Sequence, residues 1–141
     1  MRRLAVAVCL LGLPAAAACG GGDQTAAARK AARGYVAALG RRDGAGACGR
    51  MTKNLQRQFL AAVSRADSQL GSLPCANAMT AALRTIPEDQ LKRFAQARIQ
   101  NLKLDGDRGS FRYTLGSIRV NGQVAKEGGA WKVSCCVPGA G

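Results

Sequence analysis

Apolar residues recur at helical spacing through the first part of the chain and at every second position near its end. Ala28, Ala32, Tyr35, Val36 and Leu39 share one face of a segment that Thr25 can cap, while Arg29, Lys30 and Arg33 fall off that face. This spacing predicts a helix over 25–39. Gly40 suits the position just past its end, and Arg41-Arg42-Asp43-Gly44 reads as a turn. A short helical segment carrying Cys48 is expected over 45–51. Thr52 can cap the next helix, whose stripe is Leu55, Phe59, Val63, Ala66 and Leu70, stopped by Gly71-Ser72. Pro74 fits a first helical turn, after which Cys75, Met79, Ala82, Leu83 and Ile86 form a third stripe. Pro87 ends that helix and opens a shorter one, with Leu91, Phe94 and Ala95 inward.

After Arg98 the period becomes two. Ile99, Leu102 and Leu104 lead into the turn signal Asp105-Gly106-Asp107, and Phe111, Tyr113 and Leu115 then alternate with Ser110, Arg112 and Thr114. Ile118 and Val120 precede Asn121-Gly122, a strong hairpin signal, with 123–126 as the returning strand. Gly128-Gly129 makes the last turn, before a strand in which Trp131, Val133 and Cys135 alternate. Helices first and strands after predict an α+β fold with an antiparallel sheet of about four strands. Residues 138–141 read as a tail.

The first 18 residues stand apart from this pattern. Arg2 and Arg3 precede LAVAVCLLGLPAAAA, an uncharged run interrupted by Gly12 and Pro14. It is short for a bilayer of about 30 Å of hydrocarbon but fits a secretory signal ending in small residues. Cys19 follows, then GGGD. The segment resembles a bacterial lipoprotein signal with its lipobox, departing from that pattern only at Ala16, where a larger aliphatic residue is usual. The resemblance implies cleavage before Cys19, diacylglyceryl modification of its thiol, and anchoring at the extracytoplasmic face of the cell membrane. Residues 19–24 are then the tether and 25–137 the domain.

Composition adds three constraints. The chain of 141 residues contains no histidine, which removes Ser-His-Asp and Cys-His catalysis, histidine metal sites and a histidine pH switch. Its formal charge is +13, from 21 Lys and Arg against 8 Asp and Glu; the two arginines of the signal take it to +11 after cleavage. Leu, Ile, Val and Phe make up fewer than one residue in five of the mature chain, so the core is expected to be thin and to lean on alanine and on covalent bonds. Cys48, Cys75, Cys135 and Cys136 remain besides Cys19, an even set that reads as disulfides in an exported domain, with three connectivities open.

The stretches ARGYVAALGRRDGAGAC, LPCANAMTAAL and VAKEGGAWKV together resemble actinobacterial lipoproteins with a nuclear transport factor 2-like (SnoaL-like, cystatin-like) domain. The resemblance implies a long helix packed into a strongly curved antiparallel sheet, a cone-like roll with an apolar mouth. It also implies a disulfide between Cys48 and Cys75. The stretch around 109–122 and the Cys135-Cys136 pair depart from the family pattern. Neighbouring cysteines on a strand point to opposite faces, so a bond between them would be strained; free or buried thiols are the alternative.

Other patterns carry little chemistry. Gly44-x-Gly46-x-x-Gly49 has the letters of a dinucleotide fingerprint, but a helix rather than a strand precedes it, so its glycines read as a turn. Asp105 and Asp107 lack the downstream bidentate glutamate of a calcium loop and read as hairpin residues. Relatives that are isomerases or dehydratases use Asp, His or Tyr inside the cone. Here Asp43, Asp105 and Asp107 fall in turns, and Tyr35 and Tyr113 on apolar faces. No catalytic, cofactor or metal residue is assigned. The expected function is a lipid-anchored, non-catalytic binding module, its cone mouth holding a small apolar ligand or a partner segment. Tyr35, Phe111, Tyr113 and Trp131 are the candidate pocket residues. The alternative is an interaction domain using the outer sheet face, its basic surface steering an acidic partner or envelope polymer; an isomerase- or dehydratase-like enzyme is third. The scattered Lys and Arg read first as solvated faces, and otherwise as contacts near the tether to anionic headgroups or an anionic wall polymer. No aromatic–basic module points to nucleic acid.

Overall fold

A computed structural model describes residues 20–135 of the chain. The signal segment, Cys19, Cys136 and the tail lie outside the described residues. The described part is α+β. Six helices come first: α1 Gly20–Gly40, α2 Gly44–Gly49, α3 Lys53–Ala66, α4 Ser68–Gly71, α5 Cys75–Arg84 and α6 Glu88–Gln96. Four strands follow, β1 Gln100–Asp105, β2 Arg108–Leu115, β3 Ile118–Glu127 and β4 Ala130–Cys135, paired antiparallel in the order β1-β2-β3-β4.

The apolar stripe of α1 is the centre of the core: Ala28, Ala32, Tyr35, Val36 and Leu39 are all buried. The alanines let other backbone come close, and α1 packs against β4, β1, α2 and α6. Leu55 and Phe59 of α3, Ala78, Met79 and Leu83 of α5, and Leu91 and Phe94 of α6 complete the helical side. Phe111 and Tyr113 of β2, Val124 of β3, and Trp131 and Val133 of β4 form the inner face of the sheet. The register keeps them together, with Phe111 opposite Gly122, Tyr113 opposite Val120, Val124 opposite Val133 and Lys126 opposite Trp131. Ser110, Arg112 and Thr114 take the outer face, as strand alternation requires.

Local signals act where they were expected in several places. Thr52 caps α3, its hydroxyl accepting from Leu55 N–H at 3.2 Å. Pro74 and Pro87 sit at the caps of α5 and α6. Gly128 and Gly129 turn β3 into β4 with φ of 59° and 80°, the left-handed values a two-residue hairpin of this hand needs. The segment between α2 and α3 runs alongside β4: Val133 N–H donates to Arg50 O at 2.7 Å and Thr52 N–H donates to Val133 O at 2.8 Å.

The structure corrects the sequence reading at five points. The first helix begins at Gly20, not at Thr25. Thr25 is an interior residue whose hydroxyl donates to Gly21 O, and the glycine-rich segment is held helical by Gln24, whose Oε1 accepts from the Trp131 indole N–H at 2.8 Å. Gly40 does not take a left-handed conformation; that falls on Arg42, at φ 57°. Gly40 is needed because a Cβ there would lie 2.8 Å from the Ala95 backbone nitrogen of α6. Leu70 does not end the stripe that begins at Leu55, because α3 stops at Ala66 and Asp67 caps the separate turn α4. Ala95 faces outward. Most consequentially, Asn121-Gly122 is not a hairpin turn. The chain reverses at Gly116-Ser117, with Gly116 at φ 63° and Leu115 paired with Ile118, and β3 runs straight through Asn121-Gly122. The Phe111 ring occupies the place a Cβ at Gly122 would take, so the glycine is used for packing rather than for turning.

Candidate functional site

Cys48 and Cys75 are disulfide-bonded, with Cα atoms 6.0 Å apart, and join α2 to α5. The two helices approach closely around the bond: the Thr80 hydroxyl and Ala76 carbonyl of α5 lie where a side chain on Gly44 would go. Cys135 is not a free thiol.

The four candidate pocket residues are all buried and belong to one core cluster. Tyr35, Phe111 and Tyr113 are 1%, 3% and 1% exposed and belong to the core. Phe111 and Tyr113 stack with ring centroids 6.0 Å apart, and Tyr35 lies close enough to Tyr113 to feel its charge. Neither tyrosine hydroxyl has a hydrogen-bond partner among the described residues. Burial raises the pKa of both phenols, and a negative Tyr113 would raise that of Tyr35 further. These groups stay neutral and are poor bases at ordinary pH.

Trp131, the fourth candidate, is 8% exposed and joins the same core cluster. It lies on β4 beneath the start of α1, tied to Gln24, with the Lys126 ammonium 5.6 Å from its ring. It forms part of the wall of a groove of about 740 Å³ between α1, α2 and the start of β4. The floor of that groove is Ala and Gly from α1 and α2, and its rim carries Lys30, Arg33, Arg41, Arg50 and Lys132. Arg50 is set in place: its guanidinium donates to Gly46 O at 2.8 Å, and its chain crosses the space over Gly34 that a side chain would fill. Lys132 pairs with Glu127 at 3.5 Å.

The sequence reading placed Lys30 and Arg33 on the solvent side of a helix but did not gather the five cations. Their only local signal is the spacing of Lys30 and Arg33 on the solvent side of α1 with Arg41 in the turn that follows; Arg50 and Lys132 join them through tertiary packing. A second groove, of about 660 Å³, opens by the β1–β2 turn and carries both signs of charge, with Lys103, Arg108 and Lys126 beside Asp105 and Glu127.

The remaining motifs are structural. Gly44, Gly46 and Gly49 lie within α2, which follows a helix; Asp43 caps it by accepting from Gly46 N–H at 2.7 Å. Asp105 ends β1 and Asp107 lies in the β1–β2 turn, where it pairs with Lys126 at 3.7 Å. Among the described residues, no cluster of three or more His, Cys, Asp or Glu side chains could hold a metal, and no helix is long and apolar enough to cross a membrane. Comparison with protein-family models, with curated proteins and with solved structures found no match to the chain.

Proposed function

We propose that the chain is a lipoprotein, anchored through Cys19 at the extracytoplasmic face of the cell membrane, whose nuclear transport factor 2-like domain binds a ligand without converting it. The observation that carries the binding reading is the groove between α1, α2 and β4, concave, floored by small residues and walled by the chain's only tryptophan. Its shape suits an elongated partner better than a compact small molecule. The disulfide supports an oxidising compartment. Helices followed by a four-stranded antiparallel meander, with α1 touching both edge strands, support the family assignment.

A second reading, a small ligand admitted among Tyr35, Phe111 and Tyr113, draws on the two hydroxyls that lack a partner. Buried hydroxyls are usually hydrogen-bonded, and a polar ligand atom would satisfy them.

The test is comparative capture. The full chain is extracted in neutral detergent, and the retained material is identified by mass spectrometry for the native sequence and for Ala45→Trp. Ala45 is exposed and lines the groove, so the indole fills it without touching the core. Material lost from Ala45→Trp supports the groove; identical retention by both removes it. A Cys19→Ser variant that stays in the membrane fraction would remove the anchor.

A further inference from the structure

Charge is arranged unevenly around the groove. Four of the eight carboxylates are matched to a cation, three of them away from the groove in Arg42–Glu88, Arg93–Asp89 and Lys126–Asp107, and one in Lys132–Glu127. Of the five cations on the rim, only Lys132 has such a partner. Lys30, Arg33 and Arg41 enter no ion pair with the described residues, and no carboxylate lines the groove. The Asp43 carboxylate lies beside Gly46 at the edge of the groove, accepting from Gly46 N–H, and is not among the lining residues. Like charges collected at one concave face repel one another and focus the field there. A bound anion relieves that repulsion.

The spacing excludes a single small ion as the natural occupant. Lys30 on α1 and Arg41, in the turn just past its end, stand eleven residues apart in the chain, about 16 Å by helical rise, with Arg33 between them in sequence. The α1 and α2 residues of the floor bear nothing larger than a methyl group, and the Arg50 side chain lies across them between Gly34 and Gly46, so a chain laid along the groove meets that guanidinium over the floor and the other cations at the rim. Arginines predominate on the rim, and their planar forks suit phosphate and carboxylate oxygens.

The placement also argues against the bilayer as the occupant. Within α1 the charged residue nearest Cys19 in sequence is Asp23. Lys30 comes about 15 Å further along the axis from Gly20, more than a Debye length at physiological salt. Cations serving the anchoring membrane would sit in the first turn, where an acid sits instead.

We propose that this groove holds an extended anionic polymer, with charged groups repeating along its length and Lys30, Arg33, Arg41 and Arg50 as its contacts. The proposal rests on the groove reading above and adds the class of ligand.

The full chain in neutral detergent micelles is titrated with linear polyphosphate and with polyglutamate, and separately with vesicles of phosphatidylglycerol, following the emission of Trp131. Polymer binding that weakens with salt is expected. In Arg33→Gln/Arg41→Gln the affinity should fall about tenfold and the slope of log affinity against log salt should flatten by about two. Arg65→Gln/Arg84→Gln removes the same charge from exposed positions off the groove and should shift the affinity less than about threefold. Equal losses in the two double variants would reduce the effect to overall charge and overturn the proposal. Binding to vesicles but to neither polymer would overturn it in favour of a membrane contact. If neither polymer binds while Ala45→Trp still loses its captured material, the polymer assignment falls and the groove reading stands. If Ala45→Trp binds polymer as the native chain does, both fall.

Discussion

Replacing Cys48 and Cys75 together by alanine opens a loop closed across 27 residues. By chain entropy alone, that closure restrains the unfolded state by about 3.5 kcal/mol at 25 °C. The sulfurs also fill space. Cys48 is 4% exposed at the junction where α2 and α5 meet, and losing both adds about 1 kcal/mol in packing. For a folded unit of this size, 1 kcal/mol moves the melting temperature by about 4 °C, so the double variant should melt about 14–18 °C lower. The measurement is thermal unfolding followed by circular dichroism. The double variant is preferred to added reductant because Cys135 is not a free thiol either, and reduction would act at both places. Urea unfolding provides a second check: the uncrosslinked chain exposes more surface when unfolded, so the m-value should rise. A melting temperature lowered by less than about 5 °C with an unchanged m-value would refute the view that this bond restrains the unfolded chain.

Gly122→Ala should destabilise by about 1–3 kcal/mol, since the Phe111 ring fills the place of the new methyl group; an unchanged denaturation midpoint would show that the ring moves aside freely. Thr52→Val keeps the shape of a buried residue but removes the acceptor for Leu55 N–H and should lower stability by about 1 kcal/mol in urea unfolding. The chain's only two tyrosines are both buried and have raised pKa values. Above pH of about 10 the unfolded state therefore releases protons that the folded state keeps, so stability should be full below that pH and fall as pH rises beyond it. In an alkaline titration, tyrosinate absorbance should appear only together with loss of the circular dichroism signal; tyrosinate formed in the intact fold would contradict the burial.

Periodicity determined much of this protein. The stripe Ala28, Ala32, Tyr35, Val36 and Leu39 already marks the buried side of α1, and alternation already puts Phe111 and Tyr113 on the inside of a strand. Thr52, Pro74, Pro87 and the Gly128-Gly129 turn act through bonds and dihedrals within a few residues, so they are legible without knowing the fold. The α+β class follows from the change of period after Arg98.

Tertiary contacts decided the rest. Asn121-Gly122 is the stronger hairpin signal by local chemistry, yet the chain turns at Gly116-Ser117, because Gly122 is required opposite the Phe111 ring. The glycines before Thr25 join α1 because Gln24 meets Trp131, 107 residues away in sequence. The mouth expected of Tyr35, Phe111, Tyr113 and Trp131 is closed by core packing, and Trp131 also borders the groove between α1, α2 and β4. The same packing draws Arg50 and Lys132 to the face of Lys30, Arg33 and Arg41. Local signals are read by neighbours within one turn or one hairpin, whereas a groove and the field inside it arise from residues that meet only when helix and sheet close on each other.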